Sequence, residues 1–236
     1  MIYTTTKNMV ASLLNSKSEL SIIGAFQIVQ DNLTDLMGQL GIDGIVTKKN
    51  YNAMWVITKN RLKFIKAPFW NDDVVVDSFV SSKSLVKLCI DTCIKDAEGN
   101  VCVYARTELC ALDIATGKIK KITEVGVGDN IEKHDSNVEI QFGHFENDLS
   151  NKLETCEVRS TNIDYLHHCN NIEYLRFILN VYKEKSLHDI KEMEMMYANQ
   201  SFEGEKLDVY KSSDGNVDHV YLKRGDDFVI KSEIVR

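Results

Sequence analysis

Apolar positions recur at helical spacing in two places along the chain. In the first half Ile22, Phe26, Val29, Leu33, Leu36 or Met37, and Leu40 share one face, with Ser21 placed as an N-cap and Gly41 just past the end. In the second half Ile172, Leu175, Ile178 or Leu179, and Tyr182 do the same, with Asn170 or Asn171 available as the cap, which predicts a second long helix near 171–185. Extended segments follow each helix. Residues 54–65 alternate Lys59, Arg61 and Lys63 with Asn60, Leu62 and Phe64, the two-residue period of a half-exposed strand. A turn at 69–73 leads to Val74, Val75 and Val76, and the segment 193–200 leads through 202–206 to Leu207, Asp208 and Val209. The two turns lie 133 positions apart, counted from Asn71 to Gly204. A hairpin signal, Glu98-Gly99-Asn100-Val101, returns 116 positions later as Asp214-Gly215-Asn216-Val217.

Offsets that shrink while the order helix, strand, turn, strand, hairpin is kept indicate an internal repeat whose first copy has longer connections. The implied fold is α+β, a long helix followed by an antiparallel sheet, twice. A helix of about 19 residues spans roughly 28 Å, and its apolar face needs a curved sheet to cover it. Pro68 is the only proline, so no Pro-rich linker marks a boundary; the polar stretch from Val125 to about Lys152, with Gly126, Gly128, Asp129, Asn130, Gly143 and Asn147, takes that role. The expected division is 1–135, a linker over 136–149, and 150–236.

Composition narrows the class. With 236 residues, 44% of them apolar and 27% charged, the chain reads as globular rather than disordered or fibrous. A net charge of −7 offers no broad footprint for nucleic acid. No run approaches the ~20 apolar residues of a membrane span, and the first ten residues lack the features of a secretory signal, so a cytoplasmic protein is expected. The six cysteines are sparse, and four crowd into a region that reads as strands, which favours buried free thiols over disulfides. The pair Cys89 and Cys93 has no matching Cys or His pair downstream, so no metal site is expected.

Candidate chemistry gathers just before the second helix, in the stretch from Val158 to Leu175. Asp164, His167, His168, Asn170 and Asn171 stand at a helix entrance, where unpaired backbone N–H groups and the positive end of the dipole favour developing negative charge. A thioester or ester oxyanion suits such a place. The competing reading is that Asp164 and the asparagines cap turns. Cys169 beside His168 suggests a thiol nucleophile as a further option.

Asp164 and the run His168-Cys169-Asn170-Asn171-Ile172-Glu173-Tyr174-Leu175 resemble the C-terminal half of the acyl-acyl carrier protein thioesterases, whose motif reads D-x-D-x-N-x-H-V-N-N-x-x-Y. Trp55-Val56-Ile57-Thr58-Lys59, Arg61, and 68–74 (Pro-Phe-Trp-Asn-Asp-Asp-Val) are similar to that family's W-V-L-x-R and P-x-W-G-D-x-V. The resemblance spans most of the chain. It implies a double hot-dog fold, each half a long helix wrapped by an antiparallel sheet, and hydrolysis of the thioester between a fatty acyl chain and the phosphopantetheine arm of acyl carrier protein.

Carried over position by position, it makes Asp164, His168, Asn170 and Gln200 the catalytic candidates, and Trp55, Asn171 and Cys169 the substrate-binding ones. Three positions depart from the motif: Asn162 replaces its first aspartate, Leu166 its asparagine, and Cys169 its valine. Gln200 replaces the glutamate of Y-x-x-E after Tyr197; an amide orients water but cannot act as a carboxylate base. The alternative that Leu166 and Gln200 raise is a hot-dog protein that binds acyl thioesters with little or no turnover, and a hydratase of the same fold is a third. No cofactor is implied. The acidic carrier protein calls for a local basic surface, either Lys59, Arg61, Lys63 and Lys66 or Lys118, Lys120 and Lys121. Met54, Trp55, Phe64, Phe69 and Trp70 are either acyl-tunnel lining or plain core. A tandem repeat supplies within one chain the pairing of a hot-dog dimer, so a monomer is expected as readily as a homodimer.

Overall fold

The computed structural model describes residues 1–135, 140–145 and 151–236. Its contacts divide the chain into two compact units, Met1–Gln141 and Phe142–Arg236.

The first unit runs β1 (Ile2–Asn8), α1 (Ile22–Gln39), α2 (Gly44–Tyr51), β2 (Ala53–Phe64), β3 (Asp73–Lys83), β4 (Lys87–Lys95), β5 (Val101–Asp113) and the short β6 (Ile119–Lys120). Its strands pair antiparallel in the order β1-β3-β4-β5-β2, with β6 added to β5. Helix α1 starts as predicted: the Ser21 hydroxyl accepts the Gly24 N–H at 2.9 Å, and Gly41 takes the left-handed conformation (φ +70°) beyond its end. Gly24 is demanded by packing, because a Cβ there would lie 2.2 Å from the Leu13 carbonyl oxygen. The apolar face of α1 is buried through Leu33, Leu36 and Met37 against Val80, Leu88, Ile90 and Leu109 of the sheet. One polar thread crosses this core: Asn32 accepts from Thr5 at 2.6 Å and donates to Ser78 at 2.8 Å, so a buried amide keeps its partners.

The second unit runs β7 (Asn151–Glu157), α3 (Asn171–Leu179), α4 (Glu184–Leu187), β8 (Glu192–Tyr197), β9 (Lys206–Asp214), β10 (Val217–Arg224) and β11 (Asp227–Val235). Its sheet is antiparallel in the order β8-β11-β10-β9-β7. Both hairpin signals are turns, but at different places in the repeat: Gly99 (φ +86°) joins β4 and β5, the third and fourth strands after α1, whereas Gly215 (φ +59°) joins β9 and β10, the second and third strands after α3, so the counterpart of Gly99 is Gly225 (φ +59°) between β10 and β11.

Other expectations change as well. The second helix ends at Leu179 rather than near 185. Tyr182 is drawn off the helical path to donate its hydroxyl to Asp218 at 2.9 Å, a carboxylate with no exposed surface on β10. Helix α2 and strands β1 and β7 lie in stretches whose periodicity gave no clear element. The polar stretch from Val125 is not uniformly a linker, since Val127 and Ile131 are buried in the core of the first unit. Residues 136–139 and 146–150, most of the expected linker, lie outside the described residues.

Candidate active site

The loop between the short turn Ser160–Asn162 and α3 is built by backbone hydrogen bonds. Asp164 N–H donates to the His168 carbonyl at 2.9 Å and His167 N–H to the Asp164 carbonyl at 3.0 Å, which closes a tight turn with His167 at φ +64°. Asp164 completes it: Oδ1 accepts the N–H of Leu166 at 2.8 Å and of His168 at 3.4 Å, an Asx turn. Asn170 is the N-cap of α3, its Oδ1 accepting from Ile172 N–H at 2.9 Å. Asn162 donates to Glu173 Oε2 at 2.7 Å and accepts from the Arg159 N–H.

The first unit contains the same loop 149 positions earlier. Asn15 N–H donates to the Glu19 carbonyl, Ser18 N–H donates to the Asn15 carbonyl, and Asn15 Oδ1 accepts from Lys17 and Glu19. Ser18 takes φ +63°, as His167 does, and Ser21 caps α1 as Asn170 caps α3. The facing turns match as well. Leu20 N–H donates to the Pro68 carbonyl and Cys169 N–H to that of Ser201; Phe69 N–H donates to Asp72 and Phe202 N–H to Glu205. The backbone is therefore common to both loops, while Asn15 and Glu19 stand where Asp164 and His168 stand. An Asx turn needs only a side-chain oxygen, which asparagine also supplies, so neither the carboxylate of Asp164 nor the imidazole of His168 is required to build the loop.

The predicted site residues separate into groups. Asp164 and His168, both half-buried, are brought to the two ends of one tight turn, joined through backbone rather than by a bond between the carboxylate and the imidazole. The second carboxylate oxygen of Asp164 has no hydrogen-bond partner among the described residues. Asn171 is the first residue of α3, and its N–H likewise donates to none of the described residues, as is usual in the first turn of a helix. The amide oxygen of Asn170 is engaged in the cap. Gln200 is exposed, three residues beyond the end of β8 rather than on the strand, and its carbonyl accepts from Arg224 at 3.2 Å. Cys169 is buried, and burial pushes its thiol up to about 12, the opposite of an activated nucleophile. In the first unit the indole N–H of Trp55 donates to the Ile42 carbonyl at 2.7 Å, bracing the entry to α2; Phe69 and Trp70 are each more than half exposed.

One neighbour was not foreseen from the sequence. The ring of Phe202 meets the imidazole of His168 edge to face, with centroids 5.1 Å apart and planes at 61°. In the sequence it reads only as a turn residue ahead of Gly204, 34 positions from His168.

A helix packed on an antiparallel sheet, made twice in one chain with the same loop at each helix entrance, defines a tandem hot-dog protein. Solved structures agree. An acyl-ACP thioesterase from Bacteroides thetaiotaomicron is 17% identical, covering 99% of this chain and 97% of its own, with a TM-score of 0.88. A 12:0-ACP thioesterase from Umbellularia californica is 15% identical, covering 99% and 96%, also with a TM-score of 0.88. No curated protein is matched by sequence. The family model of the acyl-ACP thioesterase N-terminal domain matches residues 8–127, and that of the C-terminal domain matches 145–231. The chain belongs to the acyl-ACP thioesterase family, and its activity is hydrolysis of the acyl-ACP thioester. The six cysteines are free, and no helix among the described residues is long and apolar enough to cross a membrane.

Proposed function

We propose that the loop from Asp164 to His168, together with the first turn of α3, is the hydrolytic centre for the acyl-ACP thioester. The observation that supports it is the internal comparison of the two loops: identical backbone, with the titratable pair Asp164 and His168 present only in the second. His168 takes a proton from a water oriented by the second carboxylate oxygen of Asp164. The water oxygen adds to the thioester carbonyl carbon, and the Asn171 N–H faces the oxyanion. Collapse breaks the C–S bond, and the proton held by His168 passes to the departing sulfur, leaving a fatty acid and the free phosphopantetheine thiol. Asn170 acts by holding the helix start in place, Gln200 orients solvent at its exposed position beyond β8, and Asn171 meets the substrate at the first turn of α3.

Release of thiol from acyl-ACP by the native chain and by His168→Ala tests this. Removing a positioned proton carrier is expected to lower kcat about 10²- to 10⁴-fold. Because the loop uses only the backbone of His168, the variant is expected to keep the native melting temperature. Undiminished hydrolysis by His168→Ala would rule the imidazole out. Saturable acyl-ACP binding without thiol release by the native chain would instead favour a carrier-binding role for this site.

A further inference from the structure

We infer that Phe202 is the positioning residue for His168, holding the imidazole edge to face with its ring so that the proton-carrying nitrogen keeps one orientation toward the thioester. This rests on the reading of His168 given above. Phe202 is 47% exposed, so hydrophobic burial does not account well for a phenylalanine at this turn. Its counterpart Phe69 is 52% exposed and stands opposite Glu19, which offers no ring to stack on.

The turn that carries Phe202 is anchored on every side. Phe202 N–H donates to Glu205 Oε2 at 3.1 Å, and Arg224 grips the same oxygen at 2.6 Å. Gly204, at φ +84°, allows the reversal. Ser201 ties the turn to the helix and the loop: its N–H donates to the Tyr174 hydroxyl at 2.7 Å, and its carbonyl accepts the Cys169 N–H at 2.8 Å. Cys169 is the residue after His168, so the phenyl ring and the imidazole are held from one short frame. A half-buried imidazole on a tight turn would otherwise sample several rotamers, and sub-ångström placement is what proton transfer requires.

The test compares Phe202→Leu, Phe202→Tyr and His168→Ala with the native protein. In Phe202→Leu, kcat for acyl-ACP is expected to fall about tenfold with KM changed less than about twofold, and Phe202→Tyr, which keeps the ring, is expected to restore it. The ring-current shift of the His168 Cε1 proton supplies an independent readout: it is expected in the native protein and in Phe202→Tyr, and lost in Phe202→Leu. Native kcat in Phe202→Leu beside a large loss in His168→Ala overturns this inference alone, as does a Tyr variant no better than the Leu variant or a His168 signal that does not move. Full activity in His168→Ala overturns the reading of the site and the positioning role with it.

Discussion

At the scale of single residues, the loop before α3 allows the structural part of one side chain to be separated from the chemistry proposed for it. Asp164 supplies the turn with its Oδ1 whatever else it does, and Asn15 shows that an amide oxygen serves that purpose equally well. Asp164→Asn is therefore expected to keep the native melting temperature within about 1 °C while losing the carboxylate proposed to orient water. Asp164→Ala leaves the N–H groups of Leu166 and His168 without their acceptor, at about 1 kcal/mol, or about 2–4 °C in a chain of this size. Thermal melts and thiol-release rates on the two variants separate the roles. An Asn variant as active as the native protein would reduce Asp164 to a turn residue. The turn-capping reading was available from the sequence as one of two possibilities; only the neighbouring N–H groups show that Oδ1 is so engaged. Phe202 was invisible for a different reason, since its contact with His168 joins residues from separate elements.

At the scale of elements, periodicity located α1 and its caps closely because Ser21, the apolar stripe and Gly41 all act within a few residues of one another. It overran α3, where the outcome was set by a long-range attraction. Asp218 has no exposed surface, and it accepts from Ser213 at 2.5 Å and Tyr182 at 2.9 Å and pairs with Lys211 at 3.1 Å and Arg236 at 3.2 Å. Burial by itself would raise its pKa, but the bonds from Ser213, Lys211 and Tyr182 outweigh it and hold the carboxyl below its usual range. Burial first and then Asp218 push the Tyr182 hydroxyl upward, which keeps it a donor. A depressed carboxyl stabilises the fold above its unfolded value of about 3.9, and that contribution is lost as pH falls through the folded value. Asp218→Asn is expected to cost about 3 kcal/mol at pH 7 in urea melts, because it leaves two cations without their anion. The gap to the native protein should shrink below about pH 4. A gap that is constant from pH 7 to pH 3 would show that the charge of Asp218 contributes nothing.

At the scale of the whole molecule, a chain of net charge −7 must meet an acidic carrier through a local cationic surface. Each of the two clusters named from the sequence keeps two exposed lysines, Lys63 and Lys66 in the first and Lys118 and Lys121 in the second. Arg61 donates to the Gln141 carbonyl at 2.8 Å and Lys66 lies 3.7 Å from Asp96, so the strand β2 cluster is partly engaged at home. In the other cluster Lys120 pairs with Asp113 at 3.3 Å, while Lys118 and Lys121 stand exposed on either side of it. Lys118→Glu with Lys121→Glu is expected to raise KM for acyl-ACP about tenfold at low salt, with kcat little changed and the difference fading as ionic strength rises. An unchanged KM would remove this face from docking.

The sequence by itself determined the repeat, the α+β class, the hairpins, the caps of the first helix and the segment at the entrance to the second, because all of these rest on interactions between residues near in the chain. Tertiary structure decided where α3 stops, that Cys169 is buried with its thiol pushed up, that Gln200 lies beyond its strand, and that Phe202 meets His168. Each of those depends on burial or on a partner many residues away, and distance along the chain carries no information about which side chains the fold will bring together. It also decided that the two loops share one backbone: hydrogen bonds between main-chain groups leave little trace in side-chain identity, so Asn15 and Asp164 could be recognised as equivalents only in three dimensions.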